Sequence, residues 1–293
     1  MAQKLFLGDY SYSSWSLRAW LLFRRFDIPV GIELIDFMKA GVAEQMAAMV
    51  PTRTVPTLVT EEGTVIWDSL AIAEELNDRH PEASLWPADP ALRALSRGLA
   101  SEMHSSFGTL RELCPMNLRA AYAETPVPDG LQADLARLEV LWTHALDVSG
   151  GPWLCGEYSV ADAFYAPVSA RIAGYALPVS DRLRAYVDAH LADPAFRRWR
   201  AMGLARGATL PWYDRDYAKV PWPGPAPRIA RPVDTGTAEN TACPYSGDPV
   251  THLMETEGRV FGFCNAFCRD KTVNDPDAWP QFVALRDGTG AVS

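Results

Sequence analysis

The segment Tyr10–Trp20 reads YSYSSWSLRAW and lies between two apolar stretches of this 293-residue chain. Before it stands the run Leu5–Leu7, which has the length and composition of a short strand, and after it apolar residues recur at helical spacing. We therefore interpret the segment as the turn from a first strand into a first helix. A serine hydroxyl at a helix start accepts a bond from a backbone N–H group that lacks a helical partner. A hydroxyl that points outward instead joins those N–H groups and the positive helix end in an anion-binding site.

The composition excludes several classes of function. The chain is 48% hydrophobic with a formal net charge of -9, and it has no basic cluster, which argues against nucleic-acid binding. No stretch approaches the roughly 20 apolar residues that span a bilayer, and the first residues do not have the pattern of a signal peptide. Five cysteines is an odd number, so we expect no disulfide framework and a cytoplasmic location.

The periodicity of the chain predicts four regions. Residues 1–82 alternate strand and helix in the order βαβαββα, which predicts a compact α/β domain. Residues 90–212 predict an all-helical domain, with one long helix over Ala91–Leu113 and a capping box formed by Ser159 and Asp162. The Pro-rich residues 213–240 predict a linker, and residues 241–293 form a separate cysteine-rich unit.

Two short motifs in the first domain could bind a peptide-like ligand. Pro56 enters a predicted strand, and because proline cannot donate to a sheet it belongs at an edge, at a first strand position or in a cis turn. In a cis turn, the backbone N–H and C=O of Val55 would be free to bind an extended peptide; the alternative is an ordinary turn proline. Asp68 and Ser69 open the third helix. They either cap it or hold the ammonium and the carboxylate of an amino-acid head group.

Taken in order, these motifs make residues 4 to about 212 resemble a cytosolic glutathione transferase. The resemblance implies a thioredoxin-like α/β domain followed by the family's all-α domain. The run Ser13–Arg18 (SSWSLR) is most similar to the serine-type enzymes of the zeta class. The zeta class has a cysteine where this chain has Trp15, which weakens the expectation of maleylacetoacetate isomerase activity.

The resemblance also implies the roles of individual residues. Ser13, or Ser14 in its place, would donate a hydrogen bond to the glutathione sulfur, with Tyr10 and Tyr12 as alternative donors. Such a bond favours the thiolate over the thiol. The resemblance places further glutathione contacts at Val55, Pro56, Asp68 and Ser69, and at Arg53 or Lys39 for the glycine carboxylate.

Three cysteines in the tail have the spacing of a metal site. Cys243 lies in a turn, and Cys264 and Cys268 lie four residues apart at the start of a predicted helix. Three converging thiolates suit a soft metal such as zinc, with His252, Asp248 or a water as the fourth ligand. The pattern resembles the TRASH and YHS metal-binding modules, which implies a small treble-clef-like appendage. The alternative is three reduced cysteines without a metal.

The sequence thus predicts a glutathione S-transferase with glutathione as co-substrate. We expect the thiolate of glutathione to attack a small electrophile or a peroxide, or to assist an isomerisation. The resemblance also implies a homodimer. The alternative function is a non-catalytic glutathione-binding scaffold whose tail senses or delivers a metal.

Overall fold

The computed structural model describes residues 2–289 and divides the chain into two compact units. The first consists of Met1–Leu191 together with Leu210–Pro223, and the second of Ala192–Thr209 together with Gly224–Ser293. The outer limits of the predicted domains, residue 1 and residues 290–293, lie outside the described range.

The first unit begins with the predicted βαβαββα order. Its elements are β1 (Lys4–Leu7), α1 (Ser14–Arg25), β2 (Gly31–Leu34), α2 (Val42–Gln45), β3 (Thr57–Val59), β4 (Val65–Trp67) and α3 (Ser69–Arg79). The sheet order is β2-β1-β3-β4, with β1 parallel to β2 and the other pairs antiparallel. The strands bury Leu5, Leu7 and Leu58 completely. This mixed sheet places the start of α1 directly after its central strand β1.

A helical part completes the first unit. Its helices are α4 (Pro90–Ser105), α5 (Gly108–Leu113), α6 (Asp129–Ser149), α7 (Val160–Gly174) and α8 (Asp181–Ala192). Helix α7 is buried over its whole length and packs against α1 and α4. A two-residue strand β5 (Ala121–Tyr122) pairs with β6 (Lys219–Val220). Within residues 2–289, no helix combines the length and the apolar character needed to cross a membrane.

The prediction of one continuous helix over Ala91–Leu113 is wrong, because the chain breaks between α4 and α5. Phe107 adopts a left-handed conformation with φ of 61°. The break turns its side chain inward, where it is 3% exposed and lies edge-on to Tyr165 at 6.4 Å between ring centroids. Burying this aromatic ring outweighs the continuation of the helix.

The second unit combines a helix with a small antiparallel sheet. Its elements are α9 (Pro194–Ala205), β7 (Ala230–Val233), β8 (His252–Thr256), β9 (Arg259–Phe263), α10 (Ala266–Asn274) and α11 (Pro280–Asp287). The strand order is β7-β8-β9, and α10 packs against α9. Arg197 on α9 forms a two-point ion pair with Asp275 after α10, at 2.8 and 2.7 Å.

The boundaries of the two units differ from the predicted domain limit at residue 212. Residues 213–240, predicted to be a linker, are divided between the two units. The linker region contains β6 and β7, and α9 belongs to the second unit. Strand β7 contains Pro232, which is tolerated because β7 is an edge strand with a neighbour on one side only. The prolines therefore obscured a strand that the sequence pattern did not indicate.

The predicted capping box at the start of α7 is confirmed. The buried carboxylate of Asp162 accepts bonds from the backbone N–H of Ser159 at 2.9 Å and of Leu154 at 3.0 Å. It also accepts from the hydroxyls of Ser159 and Tyr186. Burial nevertheless raises the pKa of Asp162 to about 6. One carboxylate thus joins a loop, a helix start and α8.

We expect Asp162→Asn to lower the free energy of unfolding by about 2 kcal/mol. The amide N–H groups of asparagine would face buried N–H and O–H groups that now donate to the carboxylate. Urea unfolding monitored by circular dichroism measures this. Asp129→Asn, at the exposed start of α6, is the matched control and should change stability by less than about 0.5 kcal/mol. Equal effects of the two substitutions would contradict the role of Asp162.

The same variant should alter the pH dependence of stability. Because the pKa of Asp162 rises from 3.8 to about 6 on folding, the folded state binds a proton in this window that the unfolded state does not. The contribution of Asp162 to the free energy of unfolding therefore falls as pH increases between these values. In Asp162→Asn this part of the slope should be absent.

Candidate active site

A cavity of about 450 Å³ opens at the start of α1. Its walls come from the turn before α1, from the segment before β3 and from helices α5 and α7. Its lining includes the phenol of Tyr12 and the polar side chains of Ser13, Ser14, Arg53, Thr54, Arg111 and Arg171. The other lining residues, among them Trp15, Phe37, Met116 and Tyr213, are mostly apolar or aromatic. Among residues 2–289 no carboxylate lines the cavity, so it favours an anionic ligand with an apolar part.

The two serines at the start of α1 have different hydrogen-bond partners. Ser13 is the N-cap residue and is 8% exposed; its hydroxyl donates to Oγ of Ser16 at 2.8 Å. Ser14 is the first helical residue, and its Oγ accepts from Nη2 of Arg171 at 3.4 Å. Within residues 2–289, the hydroxyl proton of Ser14 has no acceptor. Ser14 can therefore donate to a ligand, whereas the proton of Ser13 is already engaged.

Three guanidinium groups from three helices lie around this helix start. The guanidinium carbons of Arg18 and Arg111 lie 4.4 and 5.0 Å from the centroid of the Trp15 ring. Arg171 donates to backbone carbonyls at Cys114 and Pro167 as well as to Ser14. Among the described residues none of the three arginines has a carboxylate ion-pair partner, and Nε and Nη1 of Arg18 have no hydrogen-bond partner.

Cations without a carboxylate partner in residues 2–289 make the site electropositive, and two of them, Arg18 and Arg171, are buried. Arg18 is 1% exposed, and burial together with the charges of Arg111 and Arg171 holds the pKa of its guanidinium well below the usual value. Burial and the charge of Arg111 lower the pKa of Arg171 to about 10. An unpaired buried charge destabilises the folded protein. An anion that binds here would pair with these charges and so bind more tightly.

On the sheet side, the segment before β3 presents unpaired backbone to the cavity. Arg53, Thr54 and Val55 line it, and the Val55–Pro56 peptide is cis. In the described part of the chain, neither the N–H nor the C=O of Val55 has a hydrogen-bond partner. These two groups can pair with an extended peptide ligand.

Asp68 and Ser69 lie at the start of α3, outside the lining of this cavity. Oδ1 of Asp68 caps α3 by accepting from the N–H of Leu70 at 2.8 Å, and Oδ2 lies 3.2 Å from Nε2 of His104. The hydroxyl of Ser69 is buried and has no hydrogen-bond partner among the described residues. The cap predicted as one interpretation is therefore present, and it leaves the Ser69 hydroxyl unsatisfied.

The structure brings together four of the predicted site residues, Ser13, Ser14, Arg53 and Val55. Pro56 is buried and Lys39 is exposed, and neither lines the cavity. Of the alternative tyrosine donors, Tyr12 lines the cavity and its hydroxyl accepts from the N–H of Leu210 at 3.2 Å.

Sequence reasoning missed Arg111, Arg171 and Tyr213 as lining residues. Arg171 had a detectable signal, because an arginine within the almost wholly apolar run of α7 must be buried and is therefore unusual. Arg111 and Tyr213 follow from tertiary contacts between distant segments, and no local pattern marks them.

The second unit holds a separate cluster of three thiols. The Sγ atoms of Cys243, Cys264 and Cys268 all lie within 4.8 Å of one another. Cys264 lies two residues before α10, and Cys268 lies in the first turn of that helix. The predicted convergence of the three cysteines is therefore present. Within residues 2–289 no histidine or carboxylate oxygen joins the cluster, which leaves His252 and Asp248 outside it.

Hydrogen-bond donors around the cluster point toward sulfur. Burial raises the pKa of Cys243, but N–H groups of Cys264, Tyr245 and Ser246 lower it further than burial raises it. The side chains of Ser246 and Asn265 donate to Sγ of Cys264 at 3.3 and 3.2 Å. Such donors stabilise thiolates, which are the form that binds a metal.

Comparison with known proteins agrees with this fold. Residues 12–79 match the family model described as glutathione S-transferase, N-terminal domain. Glutathione S-transferase 1 of Dianthus caryophyllus is 30% identical over 210 residues, which cover 67% of this chain and 90% of that relative. The maleylacetoacetate isomerase of Pseudomonas aeruginosa is 28% identical over 209 residues, covering 67% and 94%.

A solved structure shows the same fold. A glutathione transferase homologue from Burkholderia gl BGR1, crystallised with bound glutathione, has a TM-score of 0.55 at 23% identity, covering 69% of this chain and 98% of that one. A mixed four-stranded sheet, a following helical part and a cavity at the first helix define a glutathione transferase-like protein. On the similarity to the Dianthus enzyme, this chain belongs to the glutathione S-transferase family.

Proposed function

We propose that this chain is a glutathione transferase that binds glutathione in the cavity at α1 and activates its thiol. The observation that carries this proposal is the convergence at one helix start of the Ser14 hydroxyl, whose proton has no acceptor in residues 2–289, with the guanidinium groups of Arg18, Arg111 and Arg171. A free thiol has a pKa of about 8.5. A hydroxyl donor, nearby positive charge and a helix N-terminus each favour the thiolate.

The choice of serine follows from the hydrogen bonds. The sequence favoured Ser13, with Ser14 as the alternative. Because the proton of Ser13 is engaged with Ser16, Ser14 is the better supported donor to the glutathione sulfur. Ser13 then acts as the helix cap that holds Ser14 in place.

The remaining contacts of glutathione are assigned along the sheet edge. The free N–H and C=O of Val55, held by Pro56, would pair with the cysteinyl backbone, and Arg53 would bind the glycine carboxylate. Arg53 is preferred to Lys39 because only Arg53 lines the cavity. Asp68 and Ser69 would hold the γ-glutamyl ammonium and carboxylate, which gives the unpaired Ser69 hydroxyl a partner.

The thiolate would then attack a small electrophile held against the helical side of the cavity. An S–C bond forms, and a leaving group departs; in an isomerisation the same bond forms and later breaks, and glutathione is released. On a peroxide, an S–O bond forms instead, the O–O bond breaks, and an alcohol or water leaves. Relatives named maleylacetoacetate isomerase support the isomerisation, whereas Trp15 in place of the zeta-class cysteine favours conjugation or attack on a peroxide. A non-catalytic scaffold would bind glutathione without turnover.

For the tail we propose a zinc site of Cys243, Cys264 and Cys268 in a module similar to the TRASH and YHS modules. The donors aimed at sulfur support it, and a small unit gains much from a metal. Three thiolates fit zinc, and a water would complete the tetrahedron because no further histidine or carboxylate within residues 2–289 joins them. All five cysteines are free thiols, which supports a reducing compartment such as the cytoplasm.

We also propose that two copies of the chain pair through the face formed by β4 and α3. Trp67 is 46% exposed there, and the residues around it line a shallow, mainly apolar cavity. A contiguous apolar patch of this kind is typical of a protein–protein interface.

Replacement of the two serines tests the thiol-activation proposal. We expect Ser14→Ala to raise the pKa of the bound glutathione thiol by about 1 to 2 units, because it removes a hydrogen bond to a charged group. Ser13→Ala should instead lower the free energy of unfolding by about 1 kcal/mol through loss of the cap. Ultraviolet titration of the bound thiolate and urea unfolding separate the two effects. A larger change in the thiol pKa in Ser13→Ala than in Ser14→Ala would contradict this proposal.

Removal of one thiol tests the metal site. Protein purified without added metal should contain about one zinc per chain, and Cys264→Ser should weaken zinc binding more than about 100-fold in competition with a chelator. Cys155→Ser, at a buried thiol of the first unit, is the control and should retain the metal. Metal-free wild-type protein, or full retention in Cys264→Ser, would exclude the site.

Charge introduced at the exposed face tests the dimer. Light scattering should give a dimer mass for the wild type and a monomer mass for Trp67→Glu, because burying an unpaired carboxylate is costly. Trp212→Glu changes another tryptophan, 60% exposed, and should remain dimeric. A monomeric wild type would rule out the proposed interface.

A further inference from the structure

His104 connects the two parts of the proposed glutathione site. It lies on α4 with its ring edge-on to Trp15, at 5.1 Å between ring centroids, and its Nε2 lies 3.2 Å from Oδ2 of Asp68. Trp15 lines the cavity at α1, whereas Asp68 begins α3. One imidazole therefore contacts both the sulfur side and the γ-glutamyl side of the site.

The Asp68 carboxylate is held from two directions. Its backbone has φ of 79°, a conformation that residues other than glycine seldom adopt. Oδ1 accepts from the N–H groups of Leu70 and Ala71 at 2.8 and 3.4 Å. With Oδ1 committed to the helix, the contact with His104 sets the rotation of the carboxylate.

The surroundings of His104 indicate which nitrogen carries the proton. Burial lowers the pKa of His104, Asp68 raises it, and Arg18 and Arg111 lower it. The ring is therefore neutral near pH 7. Nδ1 is buried without a hydrogen-bond partner in the described residues. In the tautomer with the proton on Nε2, this N–H donates to Oδ2 of Asp68. The other tautomer would place two acceptors, Nε2 and Oδ2, against each other.

We propose that His104 is a positioning residue for glutathione: it orients the Asp68 carboxylate so that Oδ2 receives the ammonium of the γ-glutamyl group. This inference rests on the proposed glutathione transferase function. His104 does not touch the thiol and takes no proton in the reaction. Its contribution is to affinity for the one part of glutathione that carries a positive charge.

Two ligands and three variants test this role. The ligands are glutathione and its glutaryl analogue, which lacks only the α-ammonium group. His104→Phe keeps an aromatic ring against Trp15 but removes the donor, and His104→Gln restores an N–H donor at similar reach. Ser105→Ala, at the next and exposed position of α4, is the control. Calorimetry gives the dissociation constants.

The wild type should bind glutathione about tenfold more tightly than the analogue, because the ammonium forms a charge-assisted bond. His104→Phe should weaken glutathione binding about tenfold and leave the analogue unchanged, His104→Gln should recover most of the loss, and the pKa of the bound thiol should not move. Equal weakening of both ligands by His104→Phe, or equal affinities in the wild type, would overturn the role of His104 alone. If the wild type bound neither ligand, the glutathione transferase proposal would fall first.

Discussion

The guanidinium groups of Arg18 and Arg171, which are buried, and of Arg111, which is half-buried, lie around the start of α1 without a carboxylate partner in residues 2–289. Burying a charge without a counter-ion costs several kcal/mol in general, and three such charges also repel one another. A chain with net charge -9 has carboxylates available to neutralise them, yet none of those in the described range lines this cavity. The arrangement is understandable if an anion supplied by a ligand completes it. The electropositive character of the cavity depends on this constraint, and so do the proposed thiol activation and the proposed role of Ser14.

The two sides of the first unit contribute different groups to the site. The sheet side provides directional backbone bonding at Val55 and a helix cap at Asp68, whose geometry the fold fixes before any ligand binds. The helical side provides charge and apolar surface through Arg111 and Arg171, on α5 and α7. His104 on α4 contacts residues of both sides. We therefore expect the proposed recognition of the peptide and the proposed activation of its sulfur to be altered separately by substitution.

Much of the fold could be predicted because it depends on local patterns. The βαβαββα order, the Ser159–Asp162 capping box and the approach of Cys264 to Cys268 follow from periodicity, capping chemistry and spacing. The break at Phe107 and the pairing of β7 with β8 could not be predicted, since tertiary burial and strand pairing decide them. The candidate site divides in the same way. Its lining residues Ser13, Ser14, Arg53 and Val55 could be predicted from the sequence. The meeting of Arg18, Arg111 and Arg171, and of Asp68 with His104, requires segments far apart in the chain to be packed first.

We propose that this cavity stabilises the thiolate of glutathione. The most direct measurement is the pKa of the glutathione thiol bound to the unmodified protein, followed by thiolate absorbance across pH and compared with free glutathione. We expect a pKa at least about 1 to 2 units below that of the free thiol, because the Ser14 hydroxyl, the helix start and the nearby guanidinium groups all favour the anion. A bound thiol that titrates at the same pH as free glutathione would contradict it.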